Sequence, residues 1–132
     1  MTGVQTCALP ICALRHHDGA VVIVAEAEDG EIVARLSVAR DPQPASRHVA
    51  DIGLMVAPGY RRRGIGRALL EAAERWAAER GIRKLELHVF PHNEAAIALY
   101  RKYGFVEEGR RPKHMRRASG ELWDIVDMGL LL

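Results

Sequence analysis

The stretch Gly59-Tyr-Arg-Arg-Arg-Gly-Ile-Gly-Arg-Ala-Leu-Leu70 constrains the fold of this chain more than any other. It sets a loop of glycine and arginine directly ahead of an apolar stripe made by Ile65, Leu69, Ala73, Trp76 and Ala77. That spacing predicts a helix from Ile65 to about Arg80. The first turn of a helix leaves several backbone N–H groups without internal acceptors and carries partial positive charge, so it attracts anions. Gly64 and Gly66 remove the Cβ atoms that would hold a phosphate off the backbone, and Arg61, Arg62, Arg63 and Arg67 add charge beside it. An apolar strand, Ile52 to Val56, comes just before. Strand, loop, helix and a further strand imply a crossover and a locally parallel pair. A phosphorylated ligand is expected at the junction.

Two common phosphate loops do not match. A P-loop needs Lys followed by Ser or Thr after its glycines, and a dinucleotide fingerprint needs a small residue where Leu69 stands. Arg61-x-x-Gly64-x-Gly66, preceded by Pro58-Gly59, resembles instead the pyrophosphate loop of the GNAT superfamily of N-acetyltransferases, which bind acetyl-CoA. Further on, Asn93-Glu-Ala-Ala-Ile-Ala-Leu-Tyr100-Arg-Lys-Tyr-Gly104-Phe105 is similar to the second signature of that family. The two motifs stand in the family's order, and the resemblance covers roughly residues 20–132.

The resemblance implies a mixed, mostly antiparallel α/β sheet with a central splayed parallel pair and two main helices. The family's first strand and first two helices, which form one wall of the acceptor site, are expected to be missing. Acetyl-CoA would be held by residues 61–67, including Ile65, by Leu54, Met55 and Val56, and by Asn93, whose side chain meets the pantetheine arm. Backbone N–H groups around Met55 and Val56 would stabilise the oxyanion, and Tyr100 would protonate the departing thiolate. Tyr103 lies off the motif and is expected to serve packing. The looser pattern Arg116-Arg-Ala-Ser-Gly-Glu-Leu-Trp-Asp-Ile-Val-Asp-Met128 is similar to members that acetylate free amino acids or related small amines. Transfer by direct attack is implied, since no Cys or Ser stands where a nucleophile would be needed.

The general base is left among three residues. His88 occupies the position where ribosomal-protein acetyltransferases of the family carry Glu, and Asp51 lies near the Glu of histone-type relatives. Glu86 shares a strand face with His88. A histidine with its ordinary pKa of about 6.5 accepts a proton near neutrality.

The remaining chain reads in order. Ala20 to Glu26 is a β-branched strand that turns at Glu28-Asp29-Gly30 into a return strand, Glu31 to Arg40. Asp41 to Ser46 holds two prolines and is a loop, and Arg47 to Val56 completes a meander. Gly81 suits the left-handed residue past the helix, and Ile82 to Phe90 alternates as a strand. Asn93 is a good N-cap for a helix over 94–103. Phe105 to Arg111 and Leu122 to Leu132 read as a last antiparallel pair, joined through a basic loop at 110–117.

Residues 1–12 contain both cysteines and show no strand or helix pattern; they resemble a translated adapter and read as a non-native leader, with the domain spanning 13–132. A chain of 132 residues suits one domain. Lys+Arg 19 against Asp+Glu 17 gives a net charge of only +2, which argues against a general nucleic-acid binder. No apolar run approaches the ~20 residues that span a bilayer. The histidines show no metal-ligand spacing. A small amine acceptor, a cytoplasmic setting and an open alternative of a homodimer complete the expectations.

Overall fold

The computed structural model describes residues 11–17 and 19–132. Its strands are β1 (Ile11–His17), β2 (Ala20–Glu26), β3 (Ile32–Arg40), β4 (Val49–Val56), β5 (Lys84–Val89), β6 (Val106–Arg116) and β7 (Leu122–Leu131). Helix α1 (Ile65–Ala78) follows β4, and α2 (Glu94–Tyr103) follows β5. One sheet runs in the order β1-β2-β3-β4-β5-β7-β6. Every neighbouring pair is antiparallel except β4 with β5.

The expected mixed sheet with one parallel pair and two helices is therefore present. β2 and β3 close through Gly30, which takes φ 88° and donates its N–H to the Ala27 carbonyl at 2.9 Å. A side chain would make that left-handed backbone costly. The β3–β4 register is unbroken from Arg40↔Ala50 to Ala34↔Val56. α1 buries Ile65, Leu69, Leu70, Ala73, Trp76 and Ala77, the expected stripe widened by Leu70. These side chains meet Leu36, Leu85, Leu87, Phe105 and Met128 in one core. Each large aliphatic side chain removed from water contributes about 1.5–3 kcal/mol.

The sequence offered no strand before Ala20, yet β1 pairs antiparallel with β2, from Ile11↔Ala25 to His17↔Ala20. Ile-Cys-Ala-Leu-Arg-His-His lacks alternation; its extended state follows from a free β2 edge and not from its own pattern. The leader expectation falls on residues of which 1–10 lie outside the described residues. α1 stops two residues before Arg80, and Gly81 takes φ 74° beyond it, as expected. The Arg40 guanidinium donates to the Arg80 carbonyl, tying the end of β3 to this turn. β6 also runs farther than expected, through the basic stretch to Arg116. Two of its cations are matched across the ladder, where Arg110 meets Asp124 at 2.9 Å and Arg111 meets Asp127 at 2.8 Å. Among the described residues no helix is long and apolar enough to cross a membrane.

Phe105 leaves α2 and inserts beneath it, with ring centroids 5.7 Å from Tyr100 and 6.2 Å from Tyr103. It is fully buried. Phe105→Ala is expected to cost about 3–5 kcal/mol through the cavity it leaves. Urea unfolding should show a lower midpoint with an unchanged slope.

Candidate active site

β4 and β5 are joined only at Val49↔Lys84, Ala50↔Leu85 and Asp51↔Glu86. Past that point β4 continues on β3 and β5 continues on β7, so the two parallel strands part. The cleft between them has a volume of about 550 Å³. Ile52 to Met55 line one side and Leu87 to Phe90 the other, with Asn93, Ala96 and Tyr100 of α2 reaching into it.

Strand parity decides which amides face the gap. Asp41 N–H donates to Val49 O at 2.9 Å and Ala57 N–H to Val33 O at 2.8 Å, at the two ends of the β3–β4 ladder. Antiparallel bonding alternates, so odd-numbered β4 residues turn their amides toward β3 and even-numbered ones toward β5. The Met55 N–H is accordingly a ladder donor. Leu54 and Val56 direct their N–H groups into the region that β5 has left. Met55 keeps its side chain on the open face of the cleft, 68% exposed.

The glycine loop follows β4 directly. Gly64 is the N-cap of α1 at φ 77°, and Arg62 is also left-handed at φ 62°. The first internal bond of the helix is Ala68 N–H to Gly64 O at 3.0 Å. Among the described residues the N–H groups from 62 to 67 have no protein acceptor, six consecutive donors around a helix start. Gly66 has a second reason to lack a side chain: a Cβ there would stand 2.9 Å from Leu99 Cδ2 and 3.6 Å from Leu54 Cδ2. Arg61 folds back and donates from Nε to Val56 O at 3.3 Å, holding the end of β4. Arg63 lies over the Tyr60 ring at 4.9 Å. Arg67 lies between Glu71, at 3.9 Å, and the Tyr103 ring, at 5.5 Å.

Asn93 caps α2, its side-chain oxygen accepting from Ala96 N–H at 3.3 Å. Tyr100 is 6% exposed and lines the cleft. Burial alone pushes its pKa up to about 12, with no hydrogen bond to the hydroxyl contributing. Tyr103 differs: its hydroxyl donates to Glu74 Oε1 of α1 at 2.7 Å, which fastens the two helices.

The three base candidates share one face of the sheet. His88 Nε2 stands 3.2 Å from Asp51 Oδ1, and its Nδ1 is 2.6 Å from Asp127 Oδ1. The pairing explains this, since Asp51 is level with Glu86, one step from His88 on that face, and His88 is directly opposite Asp127. Burial raises the Asp51 pKa, the charge of His88 opposes that, and Glu86 and Asp127 reinforce it. Asp127 is held below the usual carboxylate range: burial works against its charge, but hydrogen bonds from His88 and Arg111 outweigh it. Among the described residues no group of His, Cys, Asp or Glu is arranged to hold a metal ion.

The family model for the acetyltransferase (GNAT) family matches residues 4–105. The chain belongs to the GNAT family of acetyltransferases. Among relatives, the L-amino acid N-acetyltransferase AaaT of Escherichia coli is 36% identical over 100 residues, covering 73% of this chain and 59% of its own. The ribosomal protein bS18-alanine N-acetyltransferase of Escherichia coli is 42% identical over 67 residues, covering 51% of this chain and 45% of its own. The crystal structure of a GNAT acetyltransferase from Streptococcus pneumoniae superposes with a TM-score of 0.80 and 33% identity, over 88% of this chain and 69% of that one. The chain thus spans about half to two-thirds of the length of these relatives.

Within this GNAT domain the structure brings His88, Leu54, Met55, Asn93 and Tyr100 together around one cleft and sets Asp51 3.2 Å from His88. Residues 61–67 lie at the adjoining helix start. Sequence reasoning missed Asp127, Arg111 and Arg35. Asp127 lies in the looser 116–128 pattern and Arg111 in the basic stretch, but neither was given a role, and only strand register places them beside His88. Arg35 lines the cleft from β3.

Tyr100 generates a pH test with a definite sign. Folding raises its pKa from 10.0 to about 12, so the unfolded chain releases this proton first as pH climbs past 10. Stability must then fall with rising pH across that window, by up to about 1.4 kcal/mol per pH unit from this group. Burial and the Glu74 hydrogen bond give Tyr103 a raised pKa and the same sign. Urea unfolding between pH 9 and 12 should show a shallower fall for Tyr100→Phe than for the parent.

Proposed function

We propose that this chain moves the acetyl group of acetyl-CoA to the primary amine of a small, carboxylate-bearing molecule such as a free amino acid. The observation that carries the reading is the parting of β4 and β5. It leaves the Leu54 and Val56 amides directed toward the gap, where Tyr100 and His88 line the cleft and Asp51 stands 3.2 Å from His88.

The residues fit the co-substrate. Six acceptor-free amides at 62–67, with arginines on both sides, suit a diphosphate. Leu54, Met55, Val56 and Asn93 would flank the pantetheine arm. Bound acetyl-CoA supplies a thioester already activated for acyl transfer. Leu54 and Val56 N–H groups are positioned to donate to an oxygen that gains negative charge. Tyr100, still protonated at neutral pH, can give its proton to a thiolate. Asp51 and His88 receive a proton from the amine. An α-amino group of pKa ~8 is already about a tenth neutral at pH 7, so modest basicity suffices. Ser37 lines the cleft, but no hydrogen bond from His88 or Asp51 activates it, which favours direct attack by the amine.

Arg35 supports the carboxylate. It is exposed in the cleft and makes no ion pair among the described residues, whereas Arg111 is matched by Asp127. The names of AaaT and the bS18-alanine enzyme assign both relatives α-amino acceptors, which favours the same class here.

Thermal shift with CoA and acetyl-CoA, followed by thiol release over an amine panel, tests the reading. Tyr100→Phe should lower kcat about a hundredfold and leave acetyl-CoA affinity within twofold. Binding without turnover in the parent would reduce the chain to a CoA-binding module. Separately, Arg35→Ala should raise KM about tenfold for amino acids and leave KM for the matching decarboxylated amines unchanged.

A further inference from the structure

Four adjacent strands carry one row of charged side chains across the open face of the sheet. In the order β4, β5, β7, β6 these are Asp51, His88, Asp127 and Arg111. The contacts are continuous: Asp51 Oδ1 to His88 Nε2 at 3.2 Å, His88 Nδ1 to Asp127 Oδ1 at 2.6 Å, and Asp127 Oδ2 to Arg111 Nε at 2.8 Å.

We propose that Asp127, anchored by Arg111, is a positioning residue that holds His88 with Nδ1–H toward itself and Nε2 toward Asp51, making Asp51 and His88 one proton acceptor. This rests on the acetyl-transfer reading for its role in turnover, but its geometry is testable without turnover.

Hydrogen-bond chemistry dictates the arrangement. An ionised carboxylate only accepts, so the short Asp127 contact requires a proton on Nδ1. Asp127 stays ionised because Arg111 donates to its second oxygen. In neutral His88 the Nε2 lone pair then faces Asp51. Two lone pairs at that distance repel, so the pair gains by binding a proton between them. An ammonium acceptor supplies it: one N–H bond of the substrate breaks, and one O–H or N–H bond forms on the Asp51–His88 pair. The proton leaves to water, since the Asp51 and His88 side chains are 50% and 37% exposed. Among the described residues, the charged and titratable groups around His88 are Asp51 from β4, Glu86 from β5, Asp127 from β7, Arg111 and His114 from β6, and Arg35 from β3 across the cleft.

The test joins a spectroscopic and a kinetic reading on the full chain. Long-range proton–nitrogen spectra of His88, assigned by its loss in His88→Gln, should show the Nδ1–H tautomer whenever the ring is neutral. Asp127→Asn should abolish that preference, and Asp127→Glu should restore part of it. An Nε2–H tautomer in the parent, or one unmoved by Asp127→Asn, overturns the proposal even if the chain never turns over. In kinetics, Asp127→Asn should lower kcat about tenfold and move the acid limb of the kcat/KM profile to lower pH, because a negative charge beside the proton is lost. In a His88→Ala background the same substitution should cost less than twofold. Equal losses in both backgrounds would mean that Asp127 does not act through His88. Failure to bind acetyl-CoA would instead remove the acetyl-transfer reading and leave the tautomer result standing.

Discussion

The three-residue contact between β4 and β5 is the constraint on which the rest of this molecule depends. On either side of it stands an antiparallel block with its own loyalties: β4 stays with β3 as far as Val56, and β5 stays with β7 as far as Val89. Strands in a twisted sheet rotate relative to their neighbours, and two parallel strands with strong outer partners have little to hold them together once their shared pairs end. The result is a gap with backbone donors on one wall. A fully paired sheet would have consumed those donors in its ladder and offered no cleft.

The same gap explains why α2 and the glycine loop lie where they do. α2 fills the floor of the opening with Asn93, Ala96 and Tyr100, and its Leu99 presses on Gly66 at the start of α1. Gly66 therefore answers two demands, open access to the amides and close approach of two helices. Gly64 answers a third, a left-handed N-cap at φ 77°. The start of α1 and the cleft are mechanically coupled through this contact, because a shift of α2 would be felt at the first turn of α1.

Much of this was legible in the sequence. Helix α2 was expected over 94–103 and is found at Glu94–Tyr103, because Asn93 and Gly104 mark both ends with local chemistry. The buried stripe of α1 followed from its period. β1 was not legible, since its residues carry no pattern and become a strand only by meeting β2. The amide assignment was half legible. Val56 faces the gap and Met55 does not, a distinction of parity that depends on where the β3–β4 ladder begins. Asp127 was invisible for the same reason: it is distant in sequence from His88 and level with it only through β5–β7 register.

The basic stretch at 110–117 shows how register changes the meaning of charge. Counted along the chain it is a cationic patch; laid on β6, two of its cations are paired, Arg110 by Asp124 and Arg111 by Asp127. Lys113 adds its backbone N–H to Asp124 at 2.8 Å, and Arg117 lies over the Trp123 ring at 4.4 Å. Asp124 is held below its usual pKa first by that backbone N–H and then by Arg110, so it stays charged and keeps the pairing intact. Among the described residues Arg35, on β3, lines the cleft without an ion pair. The pairs Arg110–Asp124 and Arg111–Asp127 tie β6 to β7.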